Sequence, residues 1–138
     1  MLDIMMDVYN ALIDDEFISS NVQLIKFYEY PDPGSIDDPY IVIDEIDGEL
    51  PMEYADNTPM AASELIQVDV YVRHRSDINA RIMCKELDNR IKEIIWGNLG
   101  MYNTSNSKPE YDVDFKLYRR ASRFEGAFYY EKILGVIE

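Results

Sequence analysis

From residue 64 to 73 the chain alternates almost without a break. Ile66, Val68, Val70 and Val72 point one way, and Gln67, Asp69, Tyr71 and Arg73 point the other. A strand of this kind lays one face on a core and turns the other to solvent or to a neighbour. A helical pattern over 77–96 follows, capped by Ser76 or Asp77. Its apolar stripe is Ala80, Met83, Cys84, Leu87, Ile91, Ile94 and Ile95. Glu86 with Arg90, and Asp88 with Lys92, stand four residues apart in the favourable order, so the opposite face reads as solvated and self-paired. Gly97 suits the residue just past the helix end. A one-sided strand beside a long one-sided helix confines the fold to a sheet with helices layered on it.

The rest of the chain extends this plan. Leu2, Met5, Met6, Tyr9, Leu12 and Ile13 recur at steps of three and four, opposite Asp3, Asp7, Asn10 and Asp14. That predicts a helix over 2–15, with Asp3 at its positive end and its methionines packing core or interface. Residues 22–30 and 40–46 read as strands, separated by the breaker Pro31-Asp32-Pro33-Gly34. Asp47-Gly48 is a two-residue turn signal and predicts a hairpin into 49–54. Residues 55–62 read as a loop, and 98–110, polar and without period, as an exposed mobile loop. In 111–120, Tyr111, Val113, Phe115 and Leu117 alternate with Asp112, Asp114, Lys116 and Tyr118. A last strand, 124–134, carries Phe124, Phe128 and Tyr130, with 121–123 as the connection. The fold class is α+β: a mainly antiparallel sheet of about five to six strands. Two helices pack on one face, in the order α-β-β-β-β-α-β-β. With no repeat and no linker, residues 1–138 read as a single domain. Eleven tyrosines are many for such a sheet, and several must lie on the face away from the helices.

Charge is divided along the chain. Residues 1–60 hold fifteen acids and one base, Lys26; residues 61–138 hold twelve of each. The whole net charge of −14 thus belongs to the first half. In a small domain this becomes a matter of faces, one strongly negative and one mixed. Such acidity argues against a nucleic-acid backbone as the main ligand. With 47% apolar residues the chain is globular rather than disordered. No apolar run approaches the ~20 residues of a membrane span, and the first residues lack the basic stretch of a signal peptide. Cys84 is the only cysteine, which fits a reducing compartment or assembly in the cytosol.

Catalytic chemistry is not legible. His74 stands between Arg73 and Arg75 at a strand end, and Cys84 lies on an apolar stripe, where a thiol is buried and inert. No His/Cys cluster has zinc spacing. Asp44, Glu45, Asp47 and Glu49 miss the calcium-loop pattern, and strand alternation sends neighbours to opposite faces. They read as a solvated acidic edge. No pair among the carboxylates is singled out for hydrolysis, and no glycine-rich phosphate loop is present. The expectation is a protein that is not an enzyme and holds no metal or cofactor. Arg119, Arg120 and Arg123 cluster at the expected turn. They either contact an acidic neighbour or pair with acids of their own chain; a nucleic-acid patch is a distant third.

The order of elements resembles the tail terminator (tail-completion, or tail-to-head joining) proteins of long-tailed bacteriophages. The resembling features begin with a short acidic N-terminal helix at Leu2-Asp3-Ile4-Met5 and a strand ending at Pro31-Asp32-Pro33. They continue with the strand 64–73 around Val68-Asp69-Val70-Tyr71-Val72, the capped helix 77–96, and a polar loop before a closing pair with Tyr118-Arg119-Arg120. The resemblance implies a subunit of a hexameric ring that caps the finished tail tube, stops its polymerisation and offers the surface for head attachment. Its partners would be itself, the major tail tube protein and the head connector or completion protein. DNA would only pass through, and no membrane is involved. Its place would be the head-proximal end of the virion tail, after assembly in the host cytoplasm. Asp37, Asp38, Asp44, Glu45, Asp47 and Glu49 would face the lumen or solvent, where negative charge repels passing DNA. Arg73, Arg75, Tyr118, Arg119, Arg120 and Arg123 would meet neighbouring subunits or the tube. Asn103, Thr104, Ser105, Asn106, Ser107 and Lys108 would form a mobile contact loop. Fifteen acids exceed what a lumen strip needs, so many would face solvent. Two other readings compete: a head-completion or connector protein of the same junction, and an acidic DNA mimic that inhibits a nucleic-acid-binding enzyme.

Overall fold

A computed structural model describes residues 3–55 and 58–129, with the side chains of 49–50, 53–55 and 58–59 outside the description. The elements in order are α1 (Ile4–Ile13), α2 (Glu16–Asn21), β1 (Leu24–Phe27), a 3-10 turn (Pro33–Ser35), β2 (Tyr40–Ala55) and β3 (Thr58–Arg73). After these come α3 (Ala80–Leu99), β4 (Tyr102–Asn106), β5 (Glu110–Asp112) and β6 (Leu117–Tyr129). Among the described residues the sheet has six strands in the order β1-β2-β3-β6-β4, with β5 beside β4 along the outer edge of β6. Only β1 and β2 run parallel; the other pairs are antiparallel.

The alternation of 64–73 places the core. Ile66, Val68, Val70 and Val72 are buried with Ile41 and Ile43 of β2 and Phe124 and Phe128 of β6. Against them pack Ala80, Cys84, Leu87, Ile91 and Ile95 of α3, and Ile4, Met5, Val8 and Leu12 of α1. The helices therefore cover one face, the inner one. Each fully buried Leu or Ile of this layer contributes about 1.5–3 kcal/mol of hydrophobic burial. Asp3 caps α1 by accepting from the Met6 N–H at 3.2 Å.

Several expectations are corrected. In α1 the buried set is Ile4, Met5, Val8 and Leu12, while Met6 and Ile13 are exposed; Leu2 lies outside the described residues. Adjacent apolar pairs at both helix ends left the stripe open to rotation, and the i, i+4, i+8 row won. A second helix, α2, was not expected. Asp15 starts it by accepting from the Ile18 N–H, so three α-helices are described instead of two. Asn79, not Ser76 or Asp77, caps α3, because Asp77 is bound to Arg75. The helix runs through Gly97 and stops at Gly100, whose φ of +67° suits a residue without a Cβ.

Asp47-Gly48 is not a turn. β2 passes through it with register shifts between Glu45 and Asp47 and between Asp47 and Leu50, so one extra residue is absorbed at each as a bulge. The expected loop 55–62 is instead largely β3, which pairs with β2 from Ala55↔Thr58 onward; residues 56–57 lie outside the description. The expected loop 98–110 contains β4, a polar edge strand bonded to β6. Residues 121–123 lie within β6, with Ala121 and Ser122 buried. The reversal falls at 113–116, where Asp112 Oδ1 accepts from the N–H groups of Asp114 and Phe115 at 3.0 and 3.3 Å. β6 is described to Tyr129, and the rest of the expected 124–134 strand lies outside. Among the described residues, no helix is long and apolar enough to cross a membrane.

Candidate protein-binding face

Register fixes what stands on the outer face. Tyr71 lies between Tyr40 and Arg119, Asp69 between Val42 and Ala121, and Gln67 between Asp44 and Arg123. Val42 and Ala121 are small enough for longer neighbours to fold over Asp69. Its carboxylate is fully buried although no described helix covers that face. Arg119 donates to Asp69 Oδ2 from Nη2 at 2.6 Å and from Nε at 2.9 Å. Gln67 Nε2 donates to Asp69 Oδ1 at 2.8 Å, and Gln67 Oε1 accepts from Arg123 Nε at 3.0 Å. Glu110 takes the remaining side of Arg119 at 3.1 Å. The result is a line, Arg119–Asp69–Gln67–Arg123, in which one buried acid orients two guanidinium groups.

Beside this line lies an open cavity of about 440 Å³, walled by Gln67, Arg119, Arg123 and residues 105–107 of the β4 edge. Asn103 Nδ2 donates to the carbonyls of Arg123 and Ser105 at 2.9 and 3.2 Å, and the Ser107 N–H donates to the Ala121 carbonyl at 3.0 Å. β4 is thus tied to β6 although all its side chains are exposed. A larger neighbouring groove, about 710 Å³, runs past Tyr71, Lys108, Tyr111, Leu117 and Arg119.

The opposite border of the sheet is acidic. β1 covers β2 only as far as Ile43. From Asp44 onward, no described strand lies on the outer edge of β2. Glu45 and Asp47 are exposed there, and the chain carries no Lys or Arg between Lys26 and Arg73. Asp44 accepts from the Tyr30 hydroxyl at 2.5 Å. Burial, then the carboxylates of Asp44 and Asp69, hold the Tyr30 phenol well above its ordinary range; burial and then Asp69 also raise that of Tyr71.

The residues singled out from the sequence are divided by the fold. Arg119 and Arg123 share the outer face with residues 105–107, whereas Arg120 and Tyr118 turn to the inner face. Arg120 lies 3.8 Å from buried Asp88, which also accepts from the Ser122 hydroxyl at 2.7 Å and meets Lys92 at 3.0 Å. Asp88 is therefore part of a buried polar cluster, not of a solvated face. The expected Glu86–Arg90 pair gives way to bonds from Arg90 to Asp15 and Glu93. Tyr118 stacks on Tyr111, ring centres 4.4 Å apart. Arg73 donates to the Pro33 carbonyl at 2.6 Å and lies 3.6 Å from Asp37; Arg75 meets Asp38 at 2.7 Å. Arg73, Arg75, Arg119 and Arg120 thus pair with acids of their own chain, while exposed Arg123, among the described residues, donates to Gln67 Oε1. Asp37 is exposed, and the Glu49 side chain lies outside the description. Asp69 and Gln67 were missed as organisers, since a polar residue on an alternating strand reads as exposed.

Cys84 is part of the core. Burial pushes the Cys84 thiol up to about 12, and Sγ donates to the Val70 carbonyl at 3.6 Å. Among the described residues no three His, Cys, Asp or Glu side chains gather as a metal site.

No family model matches the chain, and no curated protein sequence matches it. Among solved structures it is similar to the sheath/tube terminator of an extracellular contractile injection system, PVC, in the extended state. The TM-score is 0.35 and the identity 10%, over 93% of this chain and 58% of that one. The chain thus spans less than two thirds of the length of that protein.

Proposed function

We propose that this protein is a structural subunit of a phage tail, a tail terminator that closes the tube as a ring of six. One observation carries the reading: the two lateral borders of one sheet are chemically opposite. The free edge of β2 is acidic, and the β6–β4 border presents oriented arginines. Opposite borders favour head-to-tail contact between copies, and such contacts close into rings when the rotation allows. The chain acts as one domain, without cofactor or chemistry. In this reading the ring sits on the head-proximal end of the tail, between the tube protein and the head connector, and is put together in the host cytoplasm. Asp37, Asp38 and Asp44 face the bore or solvent and keep passing DNA from adhering.

The test is to incubate the protein with assembled tail tubes and image them by electron microscopy. A ring at one end of each tube is expected. Bare ends would count against the reading, as would steeply salt-sensitive binding to a basic DNA-binding enzyme.

A further inference from the structure

We propose that the cavity beside Arg119 and Arg123 receives a carboxylate from the β2 edge of a second copy of this chain, that of Asp47, which pairs with Leu65 and so stands on the outer face. The inference rests on the ring reading and names its joint.

Geometry comes first. Asp47 pairs with Leu65, and Arg123 pairs with Gln67 and with Ser105 of β4. Donor edge and acceptor cavity therefore lie at nearly the same height along β3, on opposite borders of the sheet. Three strand spacings, roughly 14 Å, separate β2 from β4. A copy translated across the sheet brings its β2 edge beside this β4 edge with little offset along the strands. No described strand pairs with either edge; Tyr28 meets the β2 backbone at Ile43 and Glu45, short of Asp47.

Chemistry selects the occupant. The cavity walls carry two guanidinium groups, hydroxyls from Ser105 and Ser107, and no acid. Arg123 is exposed and, among the described residues, is held through its Nε by Gln67 Oε1, so its two terminal amino groups are uncommitted there and suit a carboxylate. On the β2 edge, Asp44 is committed to Tyr30, whereas the Asp47 side chain makes no hydrogen bond or ion pair among the described residues. The bulges between Glu45 and Leu50 turn this edge out of regular pairing. They discourage indiscriminate strand addition and leave side-chain contact to decide the partner. Phosphate would suit the arginines, but an acidic flank opposes a nucleic-acid backbone.

Charge exchange tests the joint. Arg123→Glu and Asp47→Arg are made singly and together. Folding is checked by circular dichroism, and association is read by light scattering and by the fraction of capped tube ends. Each single variant should stay folded and lose association by about tenfold or more; the double variant should regain it. A folded Arg123→Glu protein that assembles like wild type would overturn the joint while leaving the ring intact, as would a double variant that is not rescued. Wild type that neither associates nor caps tubes removes the ring reading itself. If Arg123→Glu abolishes binding to a short DNA duplex but not self-association, the cavity is a phosphate site and the proposal fails.

Discussion

Asp69 and Arg119 meet diagonally across β3 and β6, on the face that no described helix covers, and the guanidinium closes the carboxylate off from water through two bonds to one oxygen. Removing one partner of a buried pair leaves an uncompensated charge. Arg119→Ala is expected to destabilise the fold by about 3–5 kcal/mol. The double variant Asp69→Leu with Arg119→Met should recover most of that, because apolar groups of similar volume carry no desolvation cost. Chemical denaturation of the three chains decides it. Equal loss in the single and double variants would mean that packing, not charge, matters at this position.

The inner-face cluster predicts a different pattern. Asp88→Ala leaves the Ser122 hydroxyl buried without its acceptor and takes the partner from Lys92 and Arg120. The two cations keep partial access to water, so a loss of about 2–3 kcal/mol is expected, less than at Asp69. Ser122→Ala should cost about 1 kcal/mol. Thermal unfolding of both variants gives the ranking.

Acid titration should expose Asp15. The hydrogen bond from Arg90 holds its carboxyl below the ordinary value, against the effect of burial. A lowered folded pKa means that the stabilisation is fully present above the unfolded value, about 3.9, and disappears as pH falls through the folded one. Asp15→Asn keeps the cap on α2 but not the charge. Its denaturation midpoint should lie below that of wild type at pH 7, and the two should converge below about pH 4. A gap that stays constant down to pH 2 would contradict this assignment.

Salt separates self-assembly from imitation of DNA. Copies carrying −14 repel one another over distances that added salt screens, while contacts within a joint are screened less. Self-association should strengthen between roughly 20 and 200 mM salt. An acidic DNA mimic would lose its basic partner over the same range. Sedimentation at both concentrations reads the difference.

What the sequence disclosed follows from which side chains are buried. Ile66 to Val72 and the stripe from Ala80 to Ile95 declare themselves because one side of each is excluded from water. β4 has no such side, since its residues serve β6 through the backbone and remain exposed, so Tyr102–Asn106 reads as loop. Asp47-Gly48 carries turn chemistry that a bulge uses equally well. The arginine group looked like a turn because Ala121 and Ser122 are small. In the fold they are small because they are buried, and alternation sends Arg119 and Arg123 one way and Arg120 the other. The acidic border was visible as a charge count. The anchoring of Arg119 and Arg123 by Asp69 and Gln67 was not, because only cross-strand register brings those residues together.

The central question is whether this chain closes a ring on a tail tube. Electron microscopy of tubes incubated with the wild-type protein measures that directly. A closed ring of six copies at one tube end, the β2 edge of each against the β4 edge of the next, is the predicted result. Tubes with both ends bare, beside protein that remains at single-subunit mass, would contradict it.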